Sequence, residues 1–179
     1  GVQTCALPIW HTGQEMAPPG TGAAVILEVD GTQAAVDEDI DRVAQACRDT
    51  GAIHITRAST EEERERIWSL RRAMSMSLRA TGLLKINHDV VVPRGRVPEL
   101  FAIVEELRDG YGLRIASFGH AGDGNIHVNL MVNRDDAEER ERARRAERVL
   151  FERVVALEGS ISGRSEEHTS ELQSRFGIS

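Results

Sequence analysis

The sequence has no excess of positive charge to offer a nucleic acid. Its 22 Lys and Arg are outnumbered by 29 Asp and Glu, for a net charge of −7. A phosphate-binding surface needs clustered cations, so nucleic-acid binding is excluded as the expected function. No apolar run approaches the roughly 20 residues that span a bilayer, and no segment has the layout of a signal peptide. The two cysteines, Cys5 and Cys47, make no disulfide framework. Cys47 falls on the apolar face of a helix, as a small core residue would. Aromatics are few but the apolar share is an ordinary 40%, so 179 residues suffice for one domain with a real core. These absences point to a soluble, cytoplasmic chain.

The periodicities that remain describe alternating strands and helices. AAVILEV (23–29) is a short β-branched run stopped by Asp30-Gly31, and predicts a buried strand. Val36, Ile40, Val43 and Cys47 recur at helical spacing over 35–48, with Asp37, Glu38 and Asp39 expected in the first turn. AIHIT (52–56) predicts a strand. Thr60 with Glu63 is a capping box that opens a helix whose apolar stripe is Ile67, Leu70, Met74 and Leu78. Arg71 and Ser75, four apart, share the neighbouring stripe. HDVVVP (88–93) predicts a strand ended by Pro93. Pro98 opens a helix that turns Leu100, Ile103, Val104 and Leu107 inward. Strands follow at 113–118 and 125–132. A last helix, 136–157, carries Ala143, Ala146, Leu150, Val154 and Leu157 on one face. The order β-α-β-α-β-α-β-β-α predicts an α+β fold: a ferredoxin-like, mostly antiparallel sheet covered by helices.

The two ends stand outside this pattern. Residues 1–9 show no period, and RSEEHTSELQSRFGIS after Gly163 is polar without an apolar face. Both resemble translated sequencing-library adapter, so 1–9 and 164–179 are set apart as non-native, as one sets apart tags and fusion scars. Disordered native ends are the alternative.

The chemistry concentrates in SFGHAGDGNIHVNL (117–130). Side chains alternate across a strand, so Ile126, Val128, Leu130 and Val132 face helices. His127, Asn129, Met131 and Asn133 face the other way and are expected to line a wet groove. His120 ends the preceding strand, and the turn can fold it back towards His127. Asp123-Gly124-Asn125 tolerates the positive φ that a sharp turn needs. Three readings compete. A phosphate loop lacks a following helix N-terminus and a nearby Lys. A plain hairpin with two surface histidines is the bland reading. Two imidazoles suit a Zn²⁺-class metal, with Zn–N about 2.0–2.1 Å, but such a site wants a third protein ligand.

GHAGDGNIHVN (119–129) closely resembles the signature of the C-terminal domain of FAD-linked oxidases, the family of cytochrome-type D-lactate dehydrogenase, the glycolate oxidase flavoprotein subunit and D-2-hydroxyglutarate dehydrogenase. ILEVDG (26–31), IWSLRR (67–72), KINHDVVVP (85–93) and GSISG (159–163) agree in order with further family elements. The resemblance covers about 20–163, as a truncated C-terminal substrate or cap domain. It implies an α+β cap beside a separate FAD-binding domain, and oxidation of a D-2-hydroxy acid to the 2-keto acid with hydride passing to FAD. It also implies a divalent metal, Zn²⁺ above all, with His120 and His127 as two ligands. The family's third ligand, a glutamate, falls at Arg164, and its proposed base, a histidine, falls at Ser165. Glu166, Glu167 and His168 are out of register. Arg71 matches an arginine that clamps substrate carboxylate, a task for which a guanidinium fork is suited. Ser75 adds a hydroxyl, either Lys85 or Asn87 a further polar contact, and Asn129 a position near substrate. His88 is expected at the surface, and His54 in the core or at the surface.

An FAD-binding domain needs on the order of 200 further residues. The chain is therefore expected to be a fragment, inert alone, whose partners are a small 2-hydroxy acid and the missing FAD-binding domain. The full enzyme is cytoplasmic or peripheral to the inner membrane. A stand-alone interaction module is the alternative from another class. A small metal-dependent hydrolase lacks a third ligand and a base.

Overall fold

The computed structural model describes the backbone of residues 2–6 and 21–164, and the side chains of 21–162. The elements are β1 (Val2–Ala6), β2 (Ala24–Leu27), α1 (Gln33–Asp49), α2 (Glu61–Ala80), β3 (Leu84–Val91), α3 (Val97–Tyr111), β4 (Arg114–His120), β5 (Asn125–Val132), α4 (Ala137–Ala156) and β6 (Ser160–Arg164). They form one sheet of order β2-β1-β4-β5-β3-β6, and every pairing is antiparallel. From β3 onward the chain runs β-α-β-β-α-β with strands in the spatial order β6-β3-β5-β4. That is the ferredoxin-like arrangement expected from the sequence. Of the two ends expected from sequence to be non-native, residues 1, 7–9 and 165–179 lie outside the described residues, while β1 and Arg164 of β6 join the sheet.

The core lies between one face of the sheet and the helices α3 and α4. Ile126, Val128, Leu130 and Val132 of β5 meet Leu100, Ile103, Val104 and Leu107 of α3 and Ala143, Ala146, Leu150, Val154 and Leu157 of α4. All of these were expected inward, and burying each large aliphatic contributes about 1.5–3 kcal/mol. The helices α1 and α2 are less embedded. Val36, Ile40, Val43 and Cys47 share a face but are only half-buried, and Ala44 is the buried residue of α1. In α2 only Met74 is buried. The capping box is formed: the Thr60 hydroxyl accepts from Glu63 N–H and the Glu63 carboxylate accepts from Thr60 N–H.

Four expectations fail locally. The strand β2 is not buried: Val25 is 51% and Leu27 38% exposed. The run 52–56 is not a strand: it is a loop with Ile53 66% exposed. β-branched residues favour strands only where a partner strand exists, and none of the sheet's pairings involves this run. Asp37–Asp39 lie beyond the first turn of α1, which begins at Gln33. His88 is not at the surface but 2% exposed on the core side of β3, edge-on to Phe151 of α4. Its Nε2 lies 3.0 Å from Glu147 Oε1, off the line of a hydrogen bond.

The start of α4 is tied to the sheet by Glu139. Its carboxylate accepts from Asn133 N–H (2.7 Å) and from the Arg114 guanidinium (2.9 Å). Burial alone would raise its pKa, but the Asn133 amide and Arg114 outweigh burial and hold it below the usual glutamate value. A depressed folded-state pKa means stability that is present above the unfolded value, about 4.3, and lost as pH falls through the folded one. Glu139→Gln is therefore expected to flatten the acid limb of a urea-unfolding pH series below about pH 5. At neutral pH, Glu139→Ala is expected to cost about 1–3 kcal/mol by removing both hydrogen bonds, one of them to a charged group.

Candidate functional site

Antiparallel register decides which side chains share the face opposite the core. Directly paired residues point the same way. His127 of β5 pairs with Phe118 of β4 and Asp89 of β3. Asn129 pairs with Ala116 and Asn87, Met131 pairs with Lys85, and His120 pairs with Asn125. His120 and His127 are thus diagonal neighbours on one face, a relation that usually places residues about 7–8 Å apart. Lys85 and Asn87, expected ahead of the strand, lie inside β3 on that same face. The bend at 81–83 folds α2 back, and Lys85 Nζ donates to Ser75 Oγ at 3.3 Å. Arg71, half-buried, lies one turn before Ser75. All seven residues singled out by sequence therefore belong to the same side of the sheet or to the helix that reaches it.

The turn that brings the histidines together depends on close backbone approach. Asp123 N–H and Gly124 N–H donate to the carbonyls of His120 and Ala121. Gly124 alone of Asp123, Gly124 and Asn125 has positive φ, +74°. A Cβ there would stand 2.0 Å from the Val92 carbonyl, and one at Gly119 would stand 2.2 Å from the Asn125 carbonyl. Gly124 O also accepts from Val92 N–H at 3.0 Å, so the turn is seated on the end of β3.

The polarity of the face is uneven. His127 is 28% exposed and His120 is half-buried, so this end of the face reaches solvent. Farther along, the expectation fails: Asn129 is 0% exposed and Met131 4%. Asn129 spends its amide N–H groups on the Ala116 carbonyl (2.9 Å) and the His127 carbonyl (3.3 Å), and its buried Oδ1 has no partner among the described residues. An unsatisfied buried acceptor is costly and suits a site that awaits a donor. His54, in the exposed 52–56 loop, lies 3.0 Å from Thr56 Oγ1 and is remote in sequence and element from this face.

Sequence reasoning missed Asp89. Its Oδ1 lies 2.5 Å from His127 Nδ1 and accepts from Asn87 Nδ2 at 3.0 Å. The D-V-x-V-P string was visible, but nothing short of the β3–β5 register reveals that its aspartate faces His127. A carboxylate on one ring nitrogen leaves the other directed outward, the arrangement usual for metal-ligating histidines. That geometry suits His127 as one donor to a divalent ion. Among the described residues no group of three or more His, Cys, Asp or Glu is disposed to hold one. The position where the family resemblance expects a glutamate, 164, pairs with Asn87 in the sheet and is here an arginine.

A family profile described as "FAD linked oxidases, C-terminal domain" matches residues 6–168. Among similar proteins, "Glycolate oxidase subunit GlcD" of Bacillus subtilis is 30% identical over 146 residues, 82% of this chain and 31% of that protein. "D-lactate dehydrogenase" of Anaerostipes hadrus is 31% identical, over 84% of this chain and 32% of that protein. "D-2-hydroxyglutarate dehydrogenase, mitochondrial" of Rattus norvegicus is 30% identical over 111 residues, 59% of this chain and 20% of that protein. The chain spans about a third of the length of the first two relatives. Among the described residues no helix is long and apolar enough to cross a membrane.

Proposed function

Because this chain belongs to the family of FAD-linked oxidase C-terminal domains, we propose that it is the substrate- and metal-binding part of a flavin-dependent enzyme that oxidises 2-hydroxy acids to 2-keto acids. The observation that carries this reading is the His127–Asp89 pair on the same face as His120. Glycolate, lactate and 2-hydroxyglutarate, named in its relatives, share a carboxylate beside a hydroxyl. The residues on this face are the types that address those two groups.

In this proposal Arg71 bonds both oxygens of the substrate carboxylate, with Ser75 Oγ and Lys85 Nζ beside it, because a planar guanidinium fork matches a carboxylate in two parallel hydrogen bonds. Positioning of this kind turns an encounter into an oriented complex. Asn87 and Asn129 supply amide groups farther along the face. His120 and His127 would hold the divalent ion, whose Lewis acidity would lower the pKa of the substrate hydroxyl. Bound FAD would supply the acceptor for the hydride. Its pyrophosphate is assigned to another domain, since the glycine-rich turn here joins two strands rather than a strand to a helix N-terminus. The chain by itself is accordingly proposed to be inert as an oxidase.

Calorimetric zinc titration tests the metal half of this reading. The chain as it stands is expected to bind zinc weakly. A form carrying Arg164→Glu, Ser165→His and Glu166→Gly is expected to bind at least about 100-fold more tightly, as completion of a three-ligand site demands. Equal binding in both forms, or binding that survives His120→Ala with His127→Ala, would overturn it.

A further inference from the structure

We propose that Asp89 is a positioning residue that locks His127 in a single tautomer, with hydrogen on Nδ1 and the lone pair of Nε2 presented to the ligand face. The inference deepens the proposed function and rests on it only in what Nε2 is presented to. The geometry stands by itself. Asp89 Oδ1 receives two donors at once, His127 Nδ1 at 2.5 Å and Asn87 Nδ2 at 3.0 Å. A carboxylate has only acceptor oxygens, so the hydrogen shared with His127 belongs to Nδ1. A neutral imidazole with hydrogen on Nδ1 has its acceptor at Nε2.

Two neighbours hold the ring in place. The pairing of Asp89 with His127 across β3 and β5 sets where the ring begins. The Phe118 ring, from the other side in β4, packs on it at a centroid distance of 5.5 Å and a tilt of 56°. Asp89 and His127 are 31% and 28% exposed, so the pair lies at an open rim, where Nε2 can meet a ligand. The same Asp89 oxygen also fixes which end of the Asn87 amide faces it, so one carboxylate orients two neighbouring residues of the face.

The test uses the full chain labelled with ¹⁵N, without metal, near pH 8. Long-range ¹H–¹⁵N correlations through the imidazole distinguish the two tautomers, and loss of a pattern in His127→Gln assigns it among the six histidines. His127 is expected to show hydrogen on Nδ1 in the wild type and to shift to the Nε2–H form, or a mixture, in Asp89→Ala and Asp89→Asn. Nε2–H in the wild type overturns the proposal, and so does an unchanged pattern in both folded variants. Because the wild-type spectrum alone is decisive, misfolding of a variant does not remove the test. A zinc titration of the Arg164→Glu, Ser165→His, Glu166→Gly form, with and without Asp89→Ala, reads the consequence: an expected loss of about 10- to 100-fold in affinity. Absence of zinc binding even with Asp89 present would count against the metal reading and leave the tautomer result to decide the role of Asp89.

Discussion

Replacing Gly124 with alanine is expected to destabilise the protein by at least about 3 kcal/mol. Two costs combine. The residue sits at φ +74°, where an L side chain costs roughly 1–2 kcal/mol. The new Cβ would also stand 2.0 Å from the Val92 carbonyl, and that atom is backbone, so no side-chain rotation relieves the collision. Gly82 is the matched control: its φ is +73°, but nothing lies within 4 Å of its Cβ position. Gly82→Ala should show only the conformational cost, about 1–2 kcal/mol. Urea unfolding of both variants separates the terms. Equal losses would show that the turn does not need its seat on β3. The functional consequence follows from position, because the turn that would be displaced sets the spacing of His120 and His127.

Replacing Arg71 with alanine is expected to weaken binding of a 2-hydroxy acid by roughly 10- to 150-fold, the worth of hydrogen bonds to a charged group. Arg71→Lys should recover only part of that, since an ammonium is a point charge and cannot bond two carboxylate oxygens in parallel. Arg71 is half-buried on α2, and Ser75, one turn on, is already bonded to Lys85 of the sheet. A substitution at Arg79, exposed in the last turn of α2, is the control that removes an equal charge from the same helix. Calorimetry with glycolate, D-lactate and D-2-hydroxyglutarate reads the effect. Loss of affinity in the Arg79 variant equal to that in Arg71→Ala would assign the effect to net charge rather than to a clamp.

The legible parts of the fold are those where one helix face or one strand face meets a single core. Leu100, Ile103, Val104 and Leu107 recur at helical spacing and all are buried. The alternation from Ile126 to Val132 assigned the core face of β5 without error. What escaped were matters of register and partner. AIHIT has the composition of a strand, yet composition cannot supply the neighbouring strand that its backbone groups need. His88 adjoins Asp89, and a shift of one residue in a strand exchanges the two faces. Without the β3–β5 pairing, His88 and Asp89 could not be told apart as core and site residues. Met131 and Asn129 share the polar parity of His127, but parity does not say how far along the strand α2 reaches. The candidate site residues were chosen through motif resemblance, and the carboxylate beside His127 emerged only with the sheet.

The most direct test joins residues 20–163, continued by the Glu-His-Gly sequence in place of Arg164, Ser165 and Glu166, to the FAD-binding part of a relative such as the Bacillus subtilis glycolate oxidase subunit. Anaerobic flavin reduction is then followed with glycolate, D-lactate and D-2-hydroxyglutarate in the presence of zinc. At least one of these acids is expected to bleach the flavin, and replacing His120 and His127 together with alanine is expected to abolish the bleaching. A folded, flavin-loaded protein that none of the acids bleaches would contradict the proposed function, as would bleaching that persists without the two histidines.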